Sequence, residues 1–258
     1  MVILVTGANG QLGQSLQSIS RDYPGVDFLF YNSQQLDITD SNSVAAVFAE
    51  TKPGYCINAA AYTAVDKAET ETESARLINV DGAENLAIAS KENNTVLLQI
   101  STDFVFDGNK KTPYTELDTP NPTGVYGQTK LDGERVVAKI LSRYFIVRTS
   151  WVYSQFGHNF MKTMLRLASE RDSLGVVDDQ IGTPTNAIDL ARALMKIILF
   201  TEAHPGQDHF GIYNFSNEGE CSWFDFAKKI FEIYQVSINV LPIPTSSYYT
   251  PAKRPRYS

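Results

Sequence analysis

Short apolar runs alternate with longer amphipathic stretches along the first 150 residues. The apolar runs cover residues 2–5, 28–31, 55–57, 96–100 and 145–147. Between them lie stretches with apolar side chains at helical spacing, over residues 11–19, 40–52, 71–91 and 125–140. Strands that are apolar at every position are typical of a parallel sheet covered by helices on both faces. The pattern therefore predicts an α/β fold with a doubly wound parallel sheet.

The pattern becomes more mixed after residue 148. Helices are predicted over residues 159–169, 186–200 and 222–234, with short strands at 176–177 and 213–215. Residues 107–124 are rich in Pro, Thr, Asn and Gly, which predicts a long loop over a functional surface. We predict a larger domain over residues 1–148, with 186–212 packing back onto it. Residues 149–185 and 213–258 would form a smaller C-terminal domain, which we expect to continue past residue 258.

Charge and composition argue against several classes of protein. The 258 residues contain 22 Lys and Arg against 29 Asp and Glu, a net charge of −7, which disfavours a protein that neutralises duplex phosphates. No apolar run approaches the ~20 residues of a membrane-spanning helix, and the N-terminal run lacks the basic segment of a signal peptide. We therefore expect a cytoplasmic protein. Cys56 and Cys221 are predicted to be buried free thiols, and the three histidines do not suggest a metal site.

A glycine loop connects the first apolar run to the first amphipathic stretch. Gly7, Gly10 and Gly13 allow a tight turn and the close approach of a pyrophosphate, whose charge suits the N-terminus of the following helix. The strand before the loop and the helix after it favour a dinucleotide-binding domain of the Rossmann type, with a plain turn as the alternative.

The second predicted strand ends without a residue that selects the cofactor. An acidic residue there would bind the ribose 2′-hydroxyl of NAD, and an arginine would favour the 2′-phosphate of NADP. Tyr31-Asn32-Ser33 offers neither group. Asp37 follows a few residues later and could either lie near the adenine or serve as a turn residue. The residues thus leave NADH and NADPH open.

Tyr126 and Lys130 are four residues apart and therefore lie on one face of a predicted helix. A tyrosine with a free pKa of ~10 is a poor base at neutral pH, and a nearby ammonium would lower that pKa. The same lysine can hold the ribose hydroxyls of a nicotinamide cofactor. Thr102 ends the fourth strand, where ligands of parallel sheets bind. The Tyr–Lys spacing alone is common by chance, but together with Thr102 and the glycine loop it predicts hydride transfer at a carbonyl or an alcohol.

The chain resembles the extended short-chain dehydrogenase/reductase superfamily, and more closely the dTDP-4-dehydrorhamnose reductase family. Beyond the motifs above, the resemblance rests on residues 57–69, 101–108, 148–153, 179–185 and 251–255. It implies an oxidoreductase that uses NADPH or NADH to reduce the C4 carbonyl of dTDP-4-dehydro-β-L-rhamnose to dTDP-β-L-rhamnose. The expected partner is this dTDP-sugar, without nucleic acid or membrane, and a homodimer is left open.

The resemblance also implies roles for individual residues. Thr102, Tyr126 and Lys130 would be catalytic, and Thr102, Asp103 and Trp151 would bind the sugar. The implied cofactor-binding residues are Gly7, Gly10, Gln11, Leu12, Gly13, Asp37, Ile38, Ala61, Tyr62, Thr63, Tyr126 and Lys130. No metal ligand is implied.

Two positions depart from the family pattern, and two other functions stay open. Phe104 replaces a tyrosine that is frequent at this position in the family. Asn32 stands where an acidic residue would select NAD, so we expect the chain to use both NADH and NADPH. One alternative is a nucleotide-sugar epimerase or related enzyme of the same fold, which would retain tightly bound NAD. The other is a non-catalytic, NADP-binding regulatory subunit of methionine adenosyltransferase. Trp223 is interpreted as a core aromatic residue and Arg148 as a structural one.

Overall fold

The computed structural model describes residues 1–258 and has a six-stranded sheet at its centre. The helices and strands of the first half are β1 (Val2–Thr6), α1 (Gln11–Ile19), β2 (Asp27–Tyr31), α2 (Ser41–Thr51), β3 (Tyr55–Asn58), α3 (Val65–Ala68), α4 (Thr72–Arg76), α5 (Gly82–Glu92), β4 (Val96–Thr102) and α6 (Val125–Ile140). Those of the second half are β5 (Tyr144–Thr149), β6 (Val152–Tyr153), α7 (Phe160–Glu170), β7 (Ser173–Val177), β8 (Ile181–Gly182), β9 (Thr185–Asn186), α8 (Ala187–Ala203), β10 (Gly211–Asn214), β11 (Cys221–Ser222), α9 (Trp223–Ile233) and β12 (Asn239–Ile243).

The central sheet has the strand order β10-β5-β4-β3-β1-β2, and every neighbouring pair is parallel. The chain moves outward from β1 to β2 and then crosses to the other side to form β3. This reversal opens a crevice at the carboxyl ends of β1 and β3, where doubly wound sheets bind ligands. The predicted doubly wound parallel sheet is confirmed.

Helices cover both faces of this sheet, which explains why its strands are apolar at consecutive positions. Ile3 and Val5 of β1 pack in one core with residues of α1 and α8, whereas Leu4 packs in a second core with residues of α2 and α5. All three side chains are fully buried. Successive residues of a strand point to opposite faces, so only an unbroken apolar run can fill both cores.

A third core lies outside the central sheet and joins α7, α9 and β7. The α9 helix begins with a capping box: the Ser222 hydroxyl accepts from the Asp225 backbone N–H, and the Asp225 carboxylate accepts from the Ser222 backbone N–H. Strand β7 pairs in parallel with β12 in a separate two-stranded sheet. No helix is long and apolar enough to span a membrane.

Three predicted details differ from the structure. The helix over residues 71–91 contains a π-helical segment, Leu77–Asp81, between α4 and α5. Residues 211–214 form the outer strand β10 of the central sheet, so the boundary predicted after residue 212 falls inside a strand. The division into two domains otherwise stays a prediction. Cys56 is buried as predicted, but Cys221, in the short strand β11, is only half-buried.

Candidate active site

A cleft of about 870 Å³ lies along the carboxyl edge of β1, β3 and β4. The glycine loop forms one wall, the residues after β2 form the outer end, and Thr102, Tyr126 and Lys130 lie together on the opposite side. The topology alone brings these groups together, because all of them follow the carboxyl ends of parallel strands or begin the helices after them.

The glycine loop is packed so closely that side chains do not fit. Gly7 has a φ of +66°, and a Cβ atom there would lie 2.6 Å from the Ala59 carbonyl carbon. A Cβ atom at Gly13 would collide with the Gly7 carbonyl oxygen. No side chain caps α1, so the first N–H groups of that helix point toward the cleft without a partner from a capping residue. This cradle fits the pyrophosphate of a dinucleotide.

A buried chain of amide and hydroxyl groups fixes the floor of the cleft. The Thr6 hydroxyl donates to Asn58 Oδ1 over 2.6 Å, and Asn58 Nδ2 donates to Gln99 Oε1 over 2.8 Å. The Ala60 backbone N–H also donates to Asn58 Oδ1. These contacts tie β1, β3 and β4 together where they meet the cleft. Sequence analysis missed this network because each member is an isolated polar residue in an apolar strand.

The outer end of the cleft contains Asn32, Asp37 and Ile38. Asp37 serves as a turn residue as well as lining the cleft, since its Oδ1 accepts from the Thr39 backbone N–H over 2.9 Å and from the Thr39 hydroxyl over 2.8 Å. The Asn32 side chain accepts from the Gln34 backbone N–H over 2.9 Å. The residues that directly follow β2 are therefore uncharged and ordered by local hydrogen bonds.

Thr102 and Asp103 lie at the end of β4. The Thr102 hydroxyl donates to Asp103 Oδ1 over 3.0 Å and accepts from the Phe104 backbone N–H over 3.2 Å. Burial raises the pKa of the Asp103 carboxyl to about 6, against the opposing effect of its hydrogen bonds. With a pKa near 6 this carboxyl is still mostly ionised at pH 7, so it accepts the Thr102 hydroxyl and places a negative charge at the reacting end of the cleft.

Tyr126 occupies the first turn of α6, and three contacts hold this turn against the rest of the cleft. The Val125 backbone N–H donates to Glu69 Oε1 over 2.9 Å, so Glu69 caps the helix. At Gly127 the helix approaches the Phe104 carbonyl oxygen so closely that a Cβ atom would collide with it. The Tyr126 ring meets the Phe104 ring edge to face, with centroids 5.6 Å apart.

The ionisation of Tyr126 and Lys130 is governed mainly by burial. Burial raises the pKa of Tyr126 to about 12, although the neighbouring Thr102 hydroxyl acts in the opposite direction. Burial also lowers the pKa of Lys130 to about 8, with the Glu134 carboxylate opposing the effect. Lys130 Nζ donates to the Ile100 carbonyl oxygen over 2.7 Å. The expectation that Lys130 lowers the tyrosine pKa is therefore corrected: in this structure desolvation dominates, and Tyr126 keeps its proton.

A buried ion pair between Arg148 and Glu134 lies next to Lys130. Arg148 of β5 binds Glu134 of α6 through two nitrogens, with the shortest contact at 2.6 Å. The Ser101 hydroxyl donates to the same carboxylate. Because Glu134 follows Lys130 by one helical turn, this ion pair holds a negative charge near the lysine ammonium. The structural interpretation of Arg148 agrees with this geometry.

Trp151 and Trp223 line the cleft side by side. Their rings are parallel within 9°, and their centroids are 3.5 Å apart. Trp223 is half-buried: it packs against the third core, in agreement with its interpretation as a core aromatic residue, and it also lines the cleft. Phe160 packs on Trp223 with centroids 4.6 Å apart and continues the aromatic cluster into the third core.

Two of the residues implied by the resemblance do not line the cleft. Gly13 lies beneath the glycine loop, and Tyr62 turns away, with its hydroxyl donating to Glu71 Oε2 over 2.7 Å. The π-helical segment supplies a residue that sequence analysis missed. Asn79 accepts from the Tyr62 backbone N–H over 2.9 Å and donates to the Thr129 hydroxyl over 3.1 Å. It thus connects the loop after β3 to α6.

The lining also includes Arg254, which comes from the C-terminal region. Its guanidinium donates to Asp66 Oδ2 over 2.7 Å. Most of the expected site residues do lie along the one cleft: Gly7, Gly10, Gln11, Leu12, Asp37, Ile38, Ala61, Thr63, Thr102, Asp103, Tyr126, Lys130 and Trp151. Their arrangement suits a dinucleotide stretched from the glycine loop to Tyr126, with a second ligand beside Trp151.

Comparison with known proteins agrees with this geometry. The family described as "RmlD substrate binding domain" matches residues 1–258. The chain belongs to this family. A relative named dTDP-4-dehydrorhamnose reductase from Aggregatibacter actinomycetemcomitans is 44% identical over 265 residues, covering 99% of this chain and 89% of the relative.

Solved structures of the family are similar over almost the whole chain. A dTDP-4-dehydrorhamnose reductase from Clostridium acetobutylicum is 44% identical, with a TM-score of 0.94 over 100% of this chain and 89% of that one. The enzyme of the same name from Bacillus anthracis, solved in complex with NADP, is 43% identical, with a TM-score of 0.93 over 99% of this chain and 88% of that one.

Proposed function

We propose that this chain reduces the C4 carbonyl of dTDP-4-dehydro-β-L-rhamnose to the alcohol of dTDP-β-L-rhamnose, using NADPH or NADH. The observation that carries the proposal is the convergence of Thr102, Tyr126 and Lys130 on a cleft whose other end is a glycine cradle. The names of the similar enzymes supply the sugar, and the NADP in the Bacillus anthracis structure supports the cofactor.

The residues present fit a nicotinamide dinucleotide. The N–H groups at the start of α1 and the backbone of Gly10, Gln11 and Leu12 would bind the pyrophosphate. Asp37 and Ile38 would lie beside the adenosine. An ammonium has three donors, of which the Ile100 carbonyl engages one, so Lys130 retains donors for ribose hydroxyls. When bound, the reduced cofactor supplies a hydride to the carbonyl carbon.

Tyr126 supplies the proton that the reduction requires at the carbonyl oxygen. With its pKa raised to about 12, the phenol is protonated at neutral pH and is in the correct state to act as a proton donor. The Thr102 hydroxyl can rotate its proton from Asp103 toward the same oxygen and stabilise the charge that develops there. Trp151 and Asp103 would bind the sugar ring beside these groups.

The direct test is the loss of nicotinamide absorbance with purified protein and enzymatically prepared dTDP-4-dehydro-L-rhamnose. We expect substrate-dependent oxidation of NADPH, and of NADH in a separate reaction, with dTDP-L-rhamnose as the product by mass spectrometry. Absence of oxidation, with cofactor binding confirmed, would overturn the proposal. Protein that purifies with bound oxidised NAD would instead favour an epimerase, and co-purification of a methionine adenosyltransferase would favour the regulatory role.

Asn32 offers a test of how the cofactors are distinguished. The Asn32→Asp substitution keeps the side-chain oxygen that orders the turn but places a carboxylate after β2. That charge would repel the 2′-phosphate of NADPH and accept from the 2′-hydroxyl of NADH. We expect the ratio of kcat/KM for NADPH to that for NADH to fall by about tenfold or more. Asn42→Asp makes the same change at an exposed position outside the cleft and should leave the ratio unaltered; an equal effect of both variants would contradict this role for Asn32.

A further inference from the structure

The backbone of Trp151 has a conformation that bulky residues rarely adopt. Its φ is +47°, in the left-handed region, where a side chain with a Cβ atom is strained. Such strain persists only where the surrounding structure enforces it, and it is concentrated at functional sites. The Trp151 carbonyl oxygen accepts from the Thr185 backbone N–H over 3.2 Å, which anchors the residue on one side.

Two residues clamp the Trp151 ring itself. Trp223 stacks on one face of the indole at 3.5 Å between centroids. Gly182 lies so close that a Cβ atom there would be 2.6 Å from Trp151 Cε2. Gly182 of β8 also pairs with Cys221 of β11, and Cys221 precedes Trp223 by two residues. The clamp is therefore one local unit of structure.

The clamp connects the cleft to the third core. Trp223 is the first residue of α9 and touches Phe160, the first residue of α7. Both helices contribute buried side chains to that core. In contrast, Thr102 belongs to β4 of the central sheet, and Tyr126 and Lys130 belong to α6, which packs against β4. The stacked tryptophans, which are joined to the third core, thus line the same cleft as the catalytic residues of β4 and α6.

We infer that Trp223 is a positioning residue: with Gly182 it holds the Trp151 ring in the cleft and thereby sets the affinity for the sugar substrate. This inference rests on the proposed function for the identity of that substrate. A parallel aromatic pair contributes more than its buried area alone, so its loss is measurable. Because Trp223 and Gly182 belong to α9 and β8, whereas β4 and α6 hold Thr102, Tyr126 and Lys130, the effect should fall on substrate binding and leave proton transfer unchanged.

The test compares Trp223→Ala, Trp223→Phe and Gly182→Ala. We expect Trp223→Ala to raise the KM for the nucleotide sugar about tenfold, with little change in kcat or in the NADPH dissociation constant. Trp223→Phe keeps an aromatic ring in the stack and should restore most of the affinity. In Gly182→Ala the new Cβ atom would collide with the Trp151 indole at a position whose backbone does not require glycine, so the ring should shift and KM should rise in the same way. Calorimetric binding of dTDP-L-rhamnose provides the same comparison without turnover.

Circular dichroism checks the clamp independently of activity. The chain has only two tryptophans, and they are the stacked pair. We expect their coupled transitions to give a paired positive and negative band in the wild type and expect this band to vanish in both Trp223 variants. If the wild-type enzyme is active but Trp223→Ala and Gly182→Ala both leave the KM for the nucleotide sugar unchanged, the inference about Trp223 is overturned and the proposed function stands. Wild-type protein that binds dTDP-L-rhamnose without reducing the 4-dehydro sugar would overturn the proposed function alone. Wild-type protein that does neither would overturn both.

Discussion

Replacing Tyr126 with Phe should lower kcat about 10²- to 10⁴-fold, the usual contribution of a positioned proton donor. The phenol is the group that the structure keeps protonated at the reacting end of the cleft. Phe retains the ring and its edge-to-face contact with Phe104, so the substitution removes the hydroxyl and little else. The measurement is steady-state oxidation of NADPH with saturating dTDP-4-dehydro-L-rhamnose.

Two controls separate chemistry from structure in this experiment. Tyr126→Phe should still bind NADPH, as followed by fluorescence, because the glycine loop and Lys130 are untouched. Tyr55→Phe removes another partly buried hydroxyl, one that donates to Glu202 over 2.7 Å and lies outside the cleft, and it should turn over like the wild type. Near wild-type turnover by Tyr126→Phe would show that another group supplies the proton.

The central sheet could be predicted because the burial of its strands on both faces produces a local signal, a run of consecutive apolar residues. A strand buried on both faces needs consecutive apolar residues, and β1, β3 and β4 have them at residues 2–5, 55–57 and 96–98. The outer strand β10 lacks this signal. It is only partly buried, with Tyr213 exposed, and it joins the sheet beside β5 after the long helix α8. Its place in the sheet depends on tertiary packing, so the predicted boundary cut through it.

The candidate site divides in the same way. Thr102, Tyr126 and Lys130 could be predicted because each follows a local mark in the sequence: a strand end, a helix start and a four-residue spacing. The ionisation of Tyr126 could not, because it depends on how deeply packing buries the phenol relative to the lysine charge. The stack of Trp151 on Trp223 joins positions far apart in the chain and requires the left-handed backbone at Trp151. No local pattern signals such a contact.

The π-helical segment Leu77–Asp81 could not be predicted from the sequence either. Helical periodicity over residues 71–91 predicts one helix, and the chain is indeed helical there, but five residues adopt the wider turn. This segment contains Asn79, whose side chain connects the loop after β3 to α6. Such segments are frequent at functional sites because they redirect side chains within a helix. The site thus depends on a departure from regular geometry that composition does not reveal.

Removing one member of the buried ion pair should produce the largest loss of stability. Arg148 and Glu134 have side chains that are only 3% and 2% exposed. Arg148→Met would leave the carboxylate buried with the Ser101 hydroxyl as its remaining partner, and we expect the free energy of unfolding to fall by about 3–5 kcal/mol. Urea denaturation at pH 7 measures this change directly.

The double variant Arg148→Met/Glu134→Leu distinguishes an uncompensated charge from lost packing. If the isolated carboxylate causes the loss, removing it as well should recover most of the stability, because apolar residues of similar volume often replace buried ion pairs without penalty. Recovery should not extend to the rate, since Glu134 opposes the effect of burial on the pKa of Lys130. A double variant as unstable as Arg148→Met would assign the loss to packing around β5 and α6. A double variant that is stable but slow would identify the pair as support for the lysine as well as for the fold.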